Sequence, residues 1–197
     1  MNGALRPVLD WPVWLLVAAS LLTGSFIRQA EAGRLSTARV GATRLAYPAA
    51  WAPQAGADPN TFVAADLTAG AFGDRVELRR LKPTELMSVN QADQADVMSA
   101  LSAWSLTRGQ RMTGFRILGQ TPTTALGRPA ARLDYAYLAD PPGGLLTGAL
   151  PVVLRASDTL VRARDGSYVM TVAGRAEENA TRLDDQRSRL LAAWEQP

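Results

Sequence analysis

Residues 152–173 read VVLRASDTLVRARDGSYVMTVA. The runs Val152–Ala156, Thr159–Ala163 and Ser167–Ala173 are rich in Val, Thr and Tyr, residues that suit a pleated, half-buried surface. Asp165-Gly166 stands between the last two, a pair that tolerates the left-handed backbone of a tight hairpin. Links this short join antiparallel neighbours, because a parallel crossover needs a dozen or more residues. The stretch therefore predicts an antiparallel sheet.

Reading outward from it strengthens that expectation. Ala130–Leu138 places Ala131, Leu133, Tyr135 and Tyr137 on one face, a period of two. Phe115–Leu118 precedes it, separated by Thr121–Pro129, which carries two Pro and one Gly and reads as a loop. Earlier strands are expected at Thr43–Tyr47, Phe62–Asp66 and Arg75–Leu81. Val97, Leu101 and Trp104 fall at i, i+4 and i+7, which predicts a helix over 91–107, with Asp93 and Asp96 in its early turns and Gly109 placed to stop it. Leu183, Arg187, Leu190, Leu191 and Trp194 mark one face of a terminal helix beginning near Glu177-Glu178. The order β-β-β-α-β-β-β-β-α, with strands joined by hairpin-length links, is that of an α+β fold: an antiparallel sheet flanked by helices.

Near the start, Trp11–Ile27 (WPVWLLVAASLLTGSFI) holds 17 residues without a charge. As a helix it is roughly 26 Å long, close to the thickness of about 30 Å of a bilayer's hydrocarbon core. Pro12 falls in the first turn, where its missing N–H costs nothing, and Trp11 and Trp14 suit a membrane interface. We read it as a single transmembrane helix, with Trp11, Trp14, Leu15, Leu16, Leu21, Leu22, Phe26 and Ile27 as its anchoring side chains. The competing reading is a signal peptide cleaved after Ala30-Glu31-Ala32. The expected organisation is a short tail (1–10), the membrane helix (11–27), a linker (28–40) and a globular domain (41–197). The globular part is expected on the extracytoplasmic side.

Composition limits the chemistry. The chain of 197 residues has 21 Lys+Arg and 18 Asp+Glu, with no His and no Cys. Disulfides, thiolate metal sites and thiol nucleophiles are excluded, as are the usual neutral-pH base and the commonest transition-metal ligand. There is no phosphate-cradling Gly loop ending in Lys-Ser/Thr and no Gly-x-Ser-x-Gly. The carboxylate pairs Asp93/Asp96, Glu177/Glu178 and Asp184/Asp185 fall on predicted helix starts or solvent faces, where dipole-complementing and solvated roles outweigh acid–base work. Asp58-Pro59-Asn60 reads as a turn. No catalytic, cofactor-binding or metal residue is assigned.

Twenty of the basic residues are Arg, spread among acids without a dense stripe beside aromatics, so no nucleic-acid partner is expected. Arg128, Arg132, Arg155, Arg162 and Arg164 could form a patch on the sheet's open side or its rim, against the plainer reading of a solvated face. Tyr135 and Tyr137 could line a cleft but fit better as core. Pro141–Leu150 is apolar at Leu145 and Leu146, the residues chosen for a contact with another protein.

Three stretches, taken in order, resemble the PsbP-like family. Leu45-Ala46-Tyr47-Pro48-Ala49-Ala50-Trp51 resembles its opening strand. Leu126 to Tyr135 resembles its Gly-x-Pro-Ala turn feeding a central aromatic strand. Gly166–Val172 followed by a last helix resembles its closing hairpin strand and helix. The resemblance spans about residues 40–197 and implies an α-β-α sandwich. It also implies a binding or assembly role within a larger complex, since the family shares no single activity. Lipid-anchored members carry a Cys that this chain lacks; the apolar segment would take over that role. The expected function is thus a non-enzymatic, membrane-anchored accessory subunit of a membrane protein complex, with the membrane and other membrane-protein subunits as partners. The alternative is a secreted or tethered module that binds a lipid or other small ligand.

Overall fold

The computed structural model describes residues 11–32, 34–55, 58–82, 94–141, 150–177 and 180–196. Its elements are helix α1 (Trp11–Ala32), strands β1 (Leu35–Val40), β2 (Thr43–Pro48), β3 (Ala52–Gln54), β4 (Thr61–Ala65) and β5 (Arg75–Arg80), then helix α2 (Gln94–Arg111). Strands β6 (Arg116–Ala125), β7 (Arg128–Ala139), β8 (Val152–Ala163) and β9 (Gly166–Arg175) follow, then helix α3 (Ala180–Ala192) and strand β10 (Trp194–Glu195). Seven strands form one sheet in the order β3-β4-β5-β9-β8-β7-β6, and three form a second in the order β1-β2-β10. Every pairing is antiparallel.

The large sheet has a core on each face. On one, Val97, Ala100, Leu101 and Trp104 of α2 pack on Leu133, Tyr135, Tyr137, Leu154, Leu160 and Val169. On the other, Leu190 of α3 joins Leu45 and Tyr47 of β2 and Trp194 of β10 over Val76, Leu78, Ala130, Val161, Met170 and Val172. Alternate residues of β9 serve the two cores, so the strand is buried on both faces, as its apolar run demands. The fold is α+β and sandwiches the sheet, but the layer opposite α2 is part helix and part small sheet.

Several boundaries differ from the sequence reading, each for a local reason. The linker 28–40 contains strand β1, which pairs with β2 from Leu35↔Pro48 to Val40↔Thr43. Of its inward residues Ser36, Ala38 and Val40, only the last is a large apolar side chain, too little to print a hydrophobic alternation. The expected loop 121–129 is mostly strand: β6 and β7 meet in a two-residue turn at Leu126-Gly127, both at positive φ (54° and 66°), as a hairpin of this length requires. Pro122 is tolerated because β6 is an edge strand. The two runs Val152–Ala156 and Thr159–Ala163 are one strand, since the polar Ser157-Asp158 between them is buried rather than a break.

Helix α2 continues past Gly109 to Arg111, so Gly109 does not end it. It abuts the Phe115 ring, and the left-handed residue after the helix is Gly114 (φ 63°). Trp194 is core, as expected, but sits on a strand beyond α3, opposite Leu45. Asp58-Pro59-Asn60 is a turn: an Asp58 carboxylate oxygen accepts from the Asn60 backbone N–H at 2.9 Å. Lys82 ion-pairs with Asp58 at 3.4 Å, an ordinary surface contact.

Candidate functional site

Two polar arrangements stand out. The first is buried between α2 and the sheet. Asp158, at the middle of β8, is fully enclosed. One carboxylate oxygen accepts from the Trp104 indole N–H (2.5 Å) and Arg108 Nε (3.0 Å). The other accepts from the hydroxyls of Thr171 (2.7 Å) and Tyr135 (3.0 Å). Arg108 also donates to the Thr171 hydroxyl at 2.7 Å and stacks its guanidinium 4.8 Å from the Trp104 ring centre. Burial opposes the charge of Arg108, but the Asp158 carboxylate beside it more than offsets this and raises the guanidinium's pKa. Burial, reinforced by the negative charge of Asp158, pushes the Tyr135 phenol well above its usual range. Four donors saturate this carboxylate, so it has no lone pair free for a substrate proton or a metal. Its arrangement pins α2 to the sheet through charge-assisted hydrogen bonds.

The second lies at one end of the sheet, where three hairpin turns and the last strand meet. The β8–β9 turn is locked by Asp165. Its carboxylate accepts from the Tyr168 hydroxyl (2.5 Å) and the Ala42 N–H (3.2 Å), and Arg80 lies 3.7 Å away. Partial burial opposes ionisation here, but those hydrogen bonds prevail and hold the Asp165 carboxyl below the usual carboxylate range. Gly41, at φ 57°, sets the β1–β2 turn directly on the Tyr168 hydroxyl, leaving no room for a Cβ. Trp194 packs edge-on to Tyr168 at 6.5 Å. Beside this knot is a cleft of about 470 Å³ lined by Leu126, Arg128, Arg164, Trp194, Glu195 and Gln196.

Of the five Arg residues expected to form a patch, the structure brings Arg128 and Arg164 together at this cleft. Arg132 is instead tied to Asp134 (2.8 Å) and to Asp184 of α3 (2.6 Å). Asp184 thereby serves as an ion-pair partner, with Arg187 also 3.7 Å away. Tyr135 and Tyr137 are core. Leu145 and Leu146 lie outside the described residues, as do Asp93 and Glu178. Among the described residues no group of three or more Asp or Glu could hold a metal ion. Sequence reasoning missed Asp158, Arg108 and Thr171 as a unit; the trace was an acidic residue in the middle of a β-rich run.

In α1, Trp11, Trp14, Leu15, Leu16, Leu21 and Leu22 are all exposed, and neither core includes them. The side chains of Phe26 and Ile27 lie outside the described residues, and the helix is described in full side-chain detail only to Ser25. Among the described residues no helix is long and apolar enough to cross a membrane.

No family model and no curated protein matches the sequence. Solved structures do. The cyanobacterial PsbP protein CyanoP of Synechocystis sp. PCC 6803 superposes with a TM-score of 0.51 at 15% identity, covering 83% of this chain and 92% of that one. The fold is PsbP-like. The Ran-binding protein Mog1p of Saccharomyces cerevisiae matches with a TM-score of 0.49 at 10% identity, over 83% of this chain and 95% of that one. LpqN of Mycobacterium tuberculosis, described as involved in cell envelope biogenesis, gives 0.40 at 13% identity, over 83% and 91%. The likeness to CyanoP carries the argument, and at this identity it speaks for the fold alone.

Proposed function

We propose that the chain is a non-enzymatic accessory subunit of a membrane protein complex. Its PsbP-like head is held outside the cytoplasm, at a bilayer surface, by α1. The observation behind this reading is the exposure of α1. Eight large apolar side chains between Trp11 and Leu22 stand open, Trp14 and Leu22 at 72% and 71%. Full burial of such a side chain gains about 1.5–3 kcal/mol, so at exposures of 43–72% the eight together forgo roughly 8–15 kcal/mol. That is comparable to the whole stability of a typical domain, about 5–15 kcal/mol. Burial of this helix in lipid acyl chains, which its uncharged run 11–27 fits, would recover that loss.

The accessory role is supported by what the head offers. Its one fully buried carboxylate, among the described residues, is saturated by structural donors, and the chain has no His or Cys to supply a base or thiolate. The test is to extract the chain from its native membrane with a mild detergent and measure its native mass. The proposal expects co-purifying membrane-protein subunits. A lone monomer would overturn the accessory role and favour the ligand-binding alternative.

A further inference from the structure

The cleft at the hairpin end carries more than the tethering role uses. Arg128 begins β7, and the register that sets Ala130 opposite Val161 brings it beside the β8–β9 turn bearing Arg164. Both arginines line the same cleft, and among the described residues neither side chain has a hydrogen-bonded or ion-paired partner. The backbone under each is fixed: Arg128 follows the two left-handed residues Leu126-Gly127, and Arg164 adjoins the locked Asp165. Trp194 lines the cleft as well. It is 97% enclosed by the fold (3% exposed), and its indole N–H is buried without an acceptor. That N–H has essentially no accessible surface, so Trp194 serves the cleft as wall and not as donor.

Those features select a ligand chemistry. Two guanidinium forks from different turns match the oxygens of a phosphate or a similar oxyanion. Glu195 also lines the cleft, although the strand register sets it opposite Arg44 of β2. Two Arg and one Glu leave a lining charge of plus one, which suits a singly charged phosphodiester better than a doubly charged phosphomonoester. Leu126 and the Trp194 ring supply an apolar wall for the group that carries the phosphate. A volume of about 470 Å³ is that of a small-molecule site.

We propose that this cleft binds a phosphodiester through Arg128 and Arg164. The source is either a phospholipid headgroup or a soluble phosphodiester. The lipid source rests on the tethered reading above; the site itself does not.

The test uses the full chain in maltoside micelles, with tryptophan fluorescence as the readout. Three probes are titrated: dihexanoyl phosphatidylglycerol below its micelle concentration, glycerophosphoglycerol, and dihexanoylglycerol, which lacks the phosphate. Saturable binding of both phosphodiesters and none of dihexanoylglycerol is expected. Tighter binding of the acylated probe assigns the site to lipid, and equal binding assigns it to a soluble ligand. Arg128→Ala and Arg164→Ala are each expected to weaken binding roughly tenfold or more. Glu195→Gln is expected to strengthen it, because it removes the one negative charge in the lining. Neither arginine belongs to a core, so their variants fold; near-ultraviolet circular dichroism checks this. Binding unchanged in the Arg128→Ala/Arg164→Ala double variant, or no phosphodiester binding at all, would overturn the proposal. A failed membrane tether would leave the glycerophosphoglycerol result intact, so the two readings fail separately.

Discussion

Replacing Asp158 by Ala tests the account of how α2 is held. The carboxylate accepts four hydrogen bonds, from Trp104, Arg108, Tyr135 and Thr171. Ala removes all four acceptors at once. The largest loss comes from Arg108, whose side chain is only 13% exposed and would keep a buried charge without its partner. Breaking a buried pair on one side costs about 3–5 kcal/mol. In a chain of this size each kcal/mol lowers Tm by roughly 2–4 °C, so the expected drop is about 6–20 °C. The assay is thermal unfolding of the full chain in mild detergent, followed by near-ultraviolet circular dichroism and tryptophan fluorescence. Asp158→Asn should lose nearly as much, because its amide nitrogen brings a donor to groups that are themselves donors. The double variant Asp158→Ala/Arg108→Met removes the stranded charge and should recover a large part of the loss. A single-variant drop below about 2 °C, or a double variant no more stable than Asp158→Ala, would refute the reasoning.

Further predictions concern the knot and the buried phenols. Gly41→Ala forces a Cβ into left-handed backbone and onto the Tyr168 hydroxyl; the expected cost is about 2 kcal/mol or more, read as the shift in a thermal melt. Asp165 has a depressed pKa, so its contribution is present above the ordinary carboxylate value of 3.8 and is lost as pH falls through the lower folded value. Asp165→Asn should therefore lower Tm near neutrality, with the gap to the parent closing below about pH 3.8; a gap constant with pH contradicts this. Tyr135 and Tyr168 have raised pKa values, mainly through burial, so the stability linked to them is complete below pH 10 and falls as pH rises beyond it. Absorbance at 295 nm should show these phenols ionising together with loss of tertiary structure; full titration near pH 10 with the fold intact would count against their burial.

The parts of this fold that sequence reveals are those with a strong period or a short link. Val97, Leu101 and Trp104 announce the buried face of α2, and all three are enclosed. The hairpin at 164–166 follows from Asp165-Gly166, and the alternation of Leu133, Tyr135 and Tyr137 follows from β7 being buried on the α2 side. Strand β1 escapes because Ser36 and Ala38 bury too little to leave a pattern. The continuity of β8 escapes because Asp158 reads as a break. Only tertiary structure reveals that Trp104, Arg108, Tyr135 and Thr171 converge on it. The cleft is harder still: Arg128, Arg164 and Trp194 come from two turns and a terminal strand far apart in sequence. Their shared end of the sheet depends on register, which composition does not encode. Trp194 was legible as core, but its departure from α3 into a strand was not, since one aromatic fits a helical stripe and an edge pair equally well.

The tether is the claim on which the functional reading turns. Alkaline carbonate extraction of native membranes, followed by intact-mass measurement of the chain, addresses it directly. The account predicts a pellet-bound polypeptide that still carries residues 11–27. A chain released into the supernatant with Gly33 as its first residue would contradict it.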